Sequence, residues 1–458
     1  MQADFWVTDA NAGLLTDAYE LTMLQAYWRE QMIGPAAFSL YMRRLPKSRN
    51  YLIACGLDDV LRFLERLHFD ADAIDYLSTL GRFDRAFLEW LAGLRFTGSV
   101  WAMPEGTPAF AEEPLLEVEA SLPEAQLLET FVMNQVHFQT MAASKGARVV
   151  HAAAGRQVVD FGLRRIHGAD AGLKAARAFH IAGVHATSNV LAGKAYGVPI
   201  AGTMAHSYVQ AHETELDAFR AFARAWPETI LLVDTYDTVR GVRNVAALAR
   251  ELGDEFRVRG IRLDSGDLHA LAVEARAILD EAGLRDVRIF ASGGLDEHEI
   301  ERLLSRGAPI DAFGVGSLMG VSADAPYLDS VYKLVEYSGQ GRTKLAPKKR
   351  ILPGRKQVFR MESNGESSGD VIARAEETLP GRALLVHVMH NGRRTQAGTE
   401  SLEAARSRAQ QELARLPARV RAITPAEPQY PTRLSIELER YWMELSANVG
   451  ESAPGDGA

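Results

Sequence analysis

The chain has 458 residues, of which 47% are hydrophobic and 24% are charged, and its formal net charge at pH 7 is −8. This length can bury one large core or two ordinary ones, and the acidic balance argues against nucleic-acid binding, which needs a basic surface. Cys55 is the only cysteine, so an internal disulfide and a cysteine-rich zinc site are both excluded.

The distribution of apolar and charged residues also argues against a membrane or secreted protein. No apolar run in the sequence approaches the length of about 20 residues needed to cross a bilayer. The first residues carry acidic side chains where a secretory signal would carry Lys or Arg. We therefore expect no membrane partner and a cytoplasmic location.

Residues 1–145 mix helical and extended patterns. Amphipathic periodicity predicts helices over 58–67 and 123–144, and short apolar runs predict strands over 36–45 and 98–104. This mixture predicts an N-terminal α/β domain.

From about residue 156, apolar strands alternate with helices at a regular interval. The predicted strands end near Gly202, Asp234, Asp264, Ser292 and Ser317, which are 32, 30, 28 and 25 residues apart. This alternation indicates right-handed βαβ crossovers and a parallel sheet. About six or seven such units predict an irregular or incomplete (β/α) barrel over residues 146–325, with an open doubly wound sheet as the alternative.

The C-terminal part has a different pattern. Strands are predicted over 330–339 and 383–395, with a hairpin turn at Asn391-Gly392. Residues 326–445 are therefore expected to return to the smaller, discontinuous α/β domain, and residues 446–458 to form a disordered tail.

Ligands of parallel α/β folds bind at the carboxyl ends of the strands. The residues predicted there are arginines, carboxylates, a histidine and small residues, so we expect the functional site at this edge. They are Arg164, Arg165, Thr187, Ser188, Gly202, Thr203, His206, Asp234, Asp237, Arg262, Asp264, Asp267, Ser292, Gly293, Gly294, Gly314, Gly316 and Ser317.

Two of these strand ends carry small residues in succession, at 292–294 and 314–317. Such turns leave backbone N–H groups free to surround an anion, and barrels commonly bind phosphate after their last two strands. The alternative is that the glycines only make tight turns. Their succession favours a phosphate site.

The segment RLDSGD, residues 262–267, combines one cation with two carboxylates. Arg262 can bind a carboxylate through two hydrogen bonds. Asp264 and Asp267 can bind ribose hydroxyls or the Mg²⁺ that accompanies a diphosphate. The alternative is an ion pair at a strand end, with Asp267 capping the next helix.

His206 lies between Ala205 and Ser207, which are too small to pack around its ring. A neutral imidazole is a good nucleophile toward phosphorus when its second nitrogen is hydrogen-bonded. Metal ligation is the alternative role, although the following HETEL lacks the second histidine of an H-E-x-x-H zinc site.

The sequence contains neither a G-x-x-x-x-G-K-[ST] motif nor a G-x-G-x-x-G motif that opens a helix. A P-loop and a dinucleotide-binding fingerprint are therefore unsupported. Basic groups at 41–51 and 342–356 can either reach a diphosphate or form solvated loops.

Together, several of these segments resemble nicotinate phosphoribosyltransferases. The resemblance extends from about residue 10 to about residue 360, and its motifs occur in the family's order. They are LLTDAYELTM (14–23), FGLRRIHG (161–168), TSNVLAGKAYGVPIAGTMAHS (187–207), RLDSGDL (262–268), FGVGS (313–317), VYKLV and LPGRK.

The resemblance implies a type II phosphoribosyltransferase that acts as a homodimer with active sites at the subunit interface. It implies that nicotinate and 5-phosphoribosyl 1-diphosphate form nicotinate mononucleotide and diphosphate, with Mg²⁺ as cofactor. ATP would be a co-substrate, hydrolysed through a phosphohistidine at His206.

The resemblance also implies roles for individual residues. Tyr19 from the other subunit would stack on the pyridine ring. From the chemistry of the reaction, which needs charge neutralisation at the diphosphate, we expect Asp264 to act beside His206 and Asp234 and Asp267 to hold the metal. Substrate contacts would come from Arg164, Ser188, Gly202, Thr203, Arg262, Ser292, Gly293, Gly294, Gly316 and Ser317.

Ser188 bears on the choice between acid and amide, because related nicotinamide-using enzymes carry an acid near this position. A neutral serine does not repel a carboxylate, which favours nicotinate. The alternatives are a nicotinamide phosphoribosyltransferase, a barrel lyase or isomerase acting on a phosphosugar, and a metabolite sensor without activity.

Overall fold

The computed structural model describes residues 6–344 and 350–452 of the chain. Part of the basic run 342–356 and the end of the predicted tail, residues 453–458, lie outside these ranges. The chain divides into two compact units, one made of Met1–Met141 with Tyr327–Ala458 and the other of Ala142–Pro326.

The first unit contains a seven-stranded antiparallel sheet to which both ends of the chain contribute. Pro35–Met42 is an inner strand, between Ser330–Tyr337 and Pro114–Ser121, and is buried at every position from 36 to 42. In sheet order the strands are Gln340–Gly341, Ser330–Tyr337, Pro35–Met42, Pro114–Ser121, Ser99–Ala102, Val386–His390 and Arg393–Arg394.

Two smaller sheets complete the strands of this unit. Leu52–Ile53 pairs with Pro108–Ala109. The other sheet has the order Arg382–Ala383, Lys356–Ser363, Glu366–Arg374 and Thr432–Leu434.

Two hairpins of this unit turn at Asn-Gly pairs. The predicted turn at Asn391-Gly392 is confirmed, with φ of 49° and 69° and with strands paired on either side. Asn364-Gly365 makes a second turn of the same kind, with φ of 52° and 81°. Positive φ at both central positions is what a two-residue hairpin requires.

The helices of the first unit cover its sheets with apolar faces. They are Ala18–Arg29, Leu57–Arg66, Ala71–Thr79, Arg85–Ala92, Leu122–Leu127, Leu402–Arg415, Ala418–Arg421 and Ile436–Ser452, with short 3₁₀ turns at Ala12–Leu14 and Gln396–Gly398. The last helix continues through the first part of the segment predicted as a disordered tail. Glu129–Ala152 belongs to both units.

The second unit is built on six parallel strands in one curled sheet. Their order is Ala186–Thr187, Gln157–Asp160, Ala312–Val315, Arg288–Ser292, Gly260–Leu263 and Ile230–Leu232. Its outer strands are not paired with each other within the described residues, so the sheet is a half-barrel. The predicted α/β class with an incomplete barrel is confirmed.

One predicted strand is much shorter than expected. The segment ending near Gly202 makes only a single bridge, between Thr187 and Ile200. Thr187 N–H donates to Pro199 O, and Ala201 N–H donates to Thr187 O. Pro199 has no N–H to donate, which limits the ladder at this edge of the sheet.

Helices connect the parallel strands, and three of these helices have an aspartate as their N-cap residue. Side chains of Asp237, Asp267 and Asp296 accept hydrogen bonds from backbone N–H groups in the first turn that follows each of them. The helices are Ala169–Ile181, Val190–Tyr196, His206–Gln210, Glu215–Ala225, Thr238–Leu252, Leu268–Glu281, Glu297–Ser305 and Ser317–Gly320, with 3₁₀ turns at Leu163–Arg165 and Gly253–Glu255.

No helix in the described part of the chain is long and apolar enough to cross a membrane.

Candidate active site

A cavity of about 650 Å³ opens at the carboxyl ends of the parallel strands, within the second unit. Most of the residues that the sequence predicted for a site at this edge line this one cavity. They are Arg164, Arg165, Ser188, Gly202, Thr203, His206, Arg262, Asp264, Ser292, Gly293, Gly294, Gly314, Gly316 and Ser317.

The two glycine-containing turns bring the backbone close to neighbouring groups. A Cβ atom on Gly293, whose φ is +86°, would lie 1.8 Å from the carbonyl oxygen of Asp264. A Cβ on Gly314 would lie 2.5 Å from the ring of Phe161. Only glycine fits at these positions, so the absent side chains leave backbone groups accessible to a ligand.

The guanidinium of Arg165 lies at the second of these turns, residues 314–317. Arg165 Nη1 donates a hydrogen bond of 2.9 Å to Ser317 Oγ. Backbone N–H groups, a hydroxyl and a guanidinium are together a suitable binding set for a phosphate group.

Arg262 retains a free hydrogen-bond donor. Its Nη2 donates to the carbonyl oxygen of Met204 at 3.0 Å, whereas its buried Nε has no hydrogen-bond partner among the described residues. The guanidinium carbon lies 5.9 Å from the ring centroid of Phe161. Burial lowers the pKa of Arg262, an effect that the nearby Asp264 and Asp234 oppose. A partly desolvated guanidinium beside an aromatic face suits a flat anion.

His206 is the first residue of a five-residue helix, and its side chain is 41% exposed. Its Nδ1 lies 3.2 Å from the hydroxyl oxygen of Thr235, and its Nε2 lies 3.9 Å from Asp264 Oδ2. The imidazole is therefore hydrogen-bonded on one side and accessible from the cavity, as a nucleophile toward phosphorus requires.

Asp264 and Asp234 are linked to each other and to the glycine turn. Ser292 Oγ donates to Asp264 Oδ1 at 2.5 Å. Asp264 N–H and Ser265 Oγ both donate to Asp234 Oδ2, at 2.9 and 2.7 Å. The other oxygen of Asp234, Oδ1, is buried without a hydrogen-bond partner among the described residues. An unpaired buried carboxylate oxygen is a candidate ligand for a cation.

These carboxylates fit Mg²⁺, which is commonly held by one or two carboxylates while substrate phosphates and water complete its octahedral shell. The described residues contain no group of three or more His, Cys, Asp or Glu side chains arranged for a metal. A Mg²⁺ held by these carboxylates would take its other ligands from water or substrate phosphates.

Asp267 lies apart from the other two carboxylates. It caps the helix Leu268–Glu281, and the N–H groups of Ala270 and His269 hold its pKa below the usual value. It lines a neighbouring cavity of about 480 Å³, which shares Gly293 and Gly294 with the first. This is the alternative that the sequence left open for Asp267, and it occupies one carboxylate oxygen with backbone N–H groups.

Asp160 is a buried residue that organises two of the site's loops and that the sequence did not single out. Its Oδ1 accepts from Gly162 N–H at 2.7 Å, and its Oδ2 accepts from Thr187 Oγ at 2.8 Å. Its backbone oxygen accepts from Ser188 N–H at 2.9 Å. Burial raises the pKa of this carboxyl. Asp160 thereby fixes the loops that carry Arg164 and Ser188.

Further lining residues were also missed, namely Phe161, Met204, Ala205, Leu295 and Leu318. Phe161 directly follows the strand Gln157–Asp160, so the rule that ligands bind at strand ends could have found it. Thr235, which contacts His206, gave no signal because a contact between residues 29 positions apart is not visible in the sequence.

Tyr19 belongs to the first unit, on the helix Ala18–Arg29, and is 47% exposed. Burial and the adjacent Glu20 raise the pKa of its phenol, which is neutral near pH 7 as in any tyrosine. A neutral, exposed aromatic ring is available for stacking on a ligand.

Comparison with known proteins finds that the chain is similar to nicotinate phosphoribosyltransferases over most of its length. Residues 14–137 match the nicotinate phosphoribosyltransferase N-terminal domain, and residues 156–348 match the nicotinate phosphoribosyltransferase family. The chain is 52% identical over 444 residues to a nicotinate phosphoribosyltransferase of Mycobacterium tuberculosis, covering 97% of this chain and 96% of that protein.

Other relatives agree with this result. Identity to the nicotinate phosphoribosyltransferase of Bacillus subtilis is 41% over 399 residues, covering 84% of this chain and 81% of the relative. The crystal structure of human nicotinic acid phosphoribosyltransferase superimposes with a TM-score of 0.84 and 31% identity, over 94% of this chain and 99% of the human one.

Proposed function

This chain belongs to the nicotinate phosphoribosyltransferase family, and from this premise we propose that it couples ATP hydrolysis to nicotinate mononucleotide synthesis through a phosphohistidine at His206. The enzyme acts in the salvage of pyridine nucleotides. It joins nicotinate to the ribose of 5-phosphoribosyl 1-diphosphate and releases diphosphate. The observation that carries the proposal is the position of His206 in the same cavity as Arg262 and both glycine turns.

Nicotinate is a flat carboxylate, and two features of the cavity suit it. The free Nε donor of Arg262 would bind the carboxylate, and Phe161 offers an aromatic wall beside it. Ser188 also lines the cavity and carries no charge that would repel the acid. These contacts favour nicotinate over nicotinamide.

The phosphoribosyl substrate would occupy the turns on the other side of the cavity. Gly316, Ser317 and Arg165 would hold the ribosyl phosphate, and Asp264 would accept from ribose hydroxyls. The pyridine nitrogen then attacks C1 of the ribose while the bond from C1 to the diphosphate oxygen breaks. Cationic side chains stabilise the charge of the leaving diphosphate.

Mg²⁺ would supply further charge neutralisation at the diphosphate when bound. The carboxylates that would hold it are Asp264, which lines the cavity, and Asp234, whose Oδ1 has no hydrogen-bond partner among the described residues. Asp267 was also predicted as a metal ligand, and its use as a helix cap makes it the weaker candidate of the three.

Coupling would begin with transfer of the terminal phosphoryl group of ATP to His206. A nitrogen–phosphorus bond forms as the bond to ADP breaks, and water later hydrolyses the adduct to phosphate. The adduct adds negative charge beside the diphosphate site, which we propose strengthens the binding of substrates together with their metal ion. Its hydrolysis then favours product release, so ATP energy drives synthesis forward.

We further propose a cytoplasmic homodimer in which Tyr19 of one subunit stacks on the pyridine ring bound by the other. A lyase or isomerase that forms a Schiff base with a phosphosugar is disfavoured, because no lysine is among the described residues that line the cavity.

Incubation with radiolabelled ATP tests the phosphohistidine. Wild type and His206→Ala are treated with γ-labelled ATP, nicotinate and 5-phosphoribosyl 1-diphosphate, with His212→Ala as the matched control. His212 lies six residues after His206, and its Nδ1 is hydrogen-bonded to the carbonyl oxygen of Tyr208. It does not line the cavity. An acid-labile adduct is expected in wild type and His212→Ala only. An adduct that persists in His206→Ala would place the phosphoryl group on another residue.

A further inference from the structure

Thr235 makes the contact that holds the imidazole of His206. The Thr235 hydroxyl lies 3.2 Å from Nδ1. This contact is the only hydrogen bond to the ring among the described residues. The carboxylate on the opposite side, Asp264, lies 3.9 Å from Nε2, which is beyond hydrogen-bond distance. Thr235 is therefore the group that can set the direction in which each ring nitrogen points.

The surroundings of His206 do not fix the ring by packing. Its sequence neighbours Ala205 and Ser207 have small side chains, and the histidine side chain is 41% exposed. The torsion that rotates an imidazole has broad, roughly two-fold preferences. Without a hydrogen bond the ring would exchange its two edges, and a different nitrogen would face the cavity.

The Thr235 hydroxyl is itself held by its loop. The preceding residue, Asp234, accepts from Asp264 N–H and Ser265 Oγ, which ties the loop to the end of the neighbouring strand. Two residues later, Asp237 caps the helix Thr238–Leu252. These contacts hold the backbone on both sides of residue 235, so a hydroxyl on its Cβ is presented to His206 from a fixed position.

We infer that Thr235 is a positioning residue whose hydroxyl oxygen accepts from Nδ1–H of His206, which keeps the ring in one orientation and leaves Nε2 unprotonated for phosphoryl transfer. This inference rests on the function proposed above. It concerns a step before any substrate reacts, because the hydrogen bond is present in the protein alone. Thr235 acts through His206 and is not itself among the residues that line the cavity.

The test compares Thr235→Val, which removes the hydroxyl at nearly constant volume, with Thr235→Ser, which keeps it. Thr238→Val is the matched control, because Thr238 lies three residues further along and is absent from the cavity lining. The first readout is ¹⁵N NMR of the ligand-free protein at a pH where the ring is neutral. The His206 signals are assigned by their loss in His206→Asn.

We expect one dominant His206 tautomer in wild type, Thr235→Ser and Thr238→Val, and a mixture of both in Thr235→Val. We also expect Thr235→Val to slow phosphoenzyme formation by about fivefold to tenfold, the effect of losing one hydrogen bond. The Michaelis constant for nicotinate should stay near the wild-type value, because Arg262 is untouched.

A single, unchanged tautomer in Thr235→Val would overturn the inference, as would slow phosphorylation in Thr235→Ser equal to that in Thr235→Val. The NMR readout needs no ATP. If wild type forms no phosphohistidine, the proposed coupling fails, while the tautomer measurement still decides whether Thr235 orients His206.

Discussion

The guanidinium of Arg262 is partly withdrawn from water, and its Nε donor has no partner among the described residues. Such a donor loses hydration without recovering a hydrogen bond, which is a cost that a bound anion removes. At the scale of single residues, removing Arg262 should therefore weaken the binding of the nicotinate carboxylate directly.

We therefore predict that Arg262→Ala raises the Michaelis constant for nicotinate by about tenfold to a hundredfold, the range expected for a charge-assisted hydrogen bond. Steady-state kinetics with varied nicotinate measure this, with nicotinamide as a competing substrate. Arg243→Ala serves as the control, because Arg243 is an exposed residue of the helix Thr238–Leu252. An unchanged constant in Arg262→Ala would remove this residue from carboxylate binding.

Sequence reasoning worked well for residues whose role follows from their position at a strand end. Arg262, Asp264 and His206 were all predicted for the site and all line the cavity. It could not find Thr235 or Asp160, because their importance lies in contacts with residues distant in the chain. Hydrogen-bond partners across loops are set by tertiary packing, which strand spacing does not describe.

At the scale of elements, the backbone of one strand-end turn lies close to the backbone at the end of the neighbouring strand. The turn after Arg288–Ser292 places Gly293 against the carbonyl of Asp264, at the end of the neighbouring strand Gly260–Leu263. The position of Asp264 at the end of one strand therefore depends on the absence of a side chain in the turn after the next strand. The spacing of strands predicted the turn, whereas its contact with Asp264 required the structure.

Gly293→Ala should reduce both stability and activity. Its Cβ would meet the Asp264 carbonyl at 1.8 Å, and φ of +86° adds strain of about 1–3 kcal/mol. We expect a lower melting temperature and a fall in kcat of about tenfold or more as Asp264 shifts relative to His206.

Gly283→Ala separates the two effects of Gly293→Ala. Gly283 also has a positive φ, +75°, but a Cβ there meets nothing within 4 Å, and the residue does not line the cavity. The Gly283→Ala variant should have a lower melting temperature and an unchanged kcat. Equal kcat in Gly293→Ala and wild type would show that the turn tolerates a side chain without moving Asp264.

At the scale of the whole molecule, the two units differ in how far the sequence predicts them. The half-barrel is continuous in the chain, and its regular strand spacing revealed it. The first unit joins both ends of the chain, with Ser330–Tyr337 paired to Pro35–Met42. Such long-range antiparallel pairing leaves no periodic signal in the sequence, so strand order within this sheet had to come from the structure.

The proposed sharing of active sites between subunits predicts complementation. Tyr19→Ala and His206→Ala would each lose most ATP-stimulated synthesis alone, because every site of either homodimer lacks one of the two groups. In a mixed dimer, one site would combine Tyr19 with His206, while the other would lack both. Random reassociation of equal amounts makes half of the dimers mixed, so about a quarter of wild-type activity should return.

The experiment mixes the two variants under mild dissociating conditions, restores native conditions and measures nicotinate mononucleotide synthesis. Mixing Tyr19→Ala with Tyr19→Ala/His206→Ala provides the control, because no combination of these chains contains an intact Tyr19. If Tyr19 served the site of its own chain, every site in the first mixture would still lack one group. Activity would then stay at the level of the separate variants, and the shared-site proposal would be wrong while the assignments of Arg262 and His206 stood.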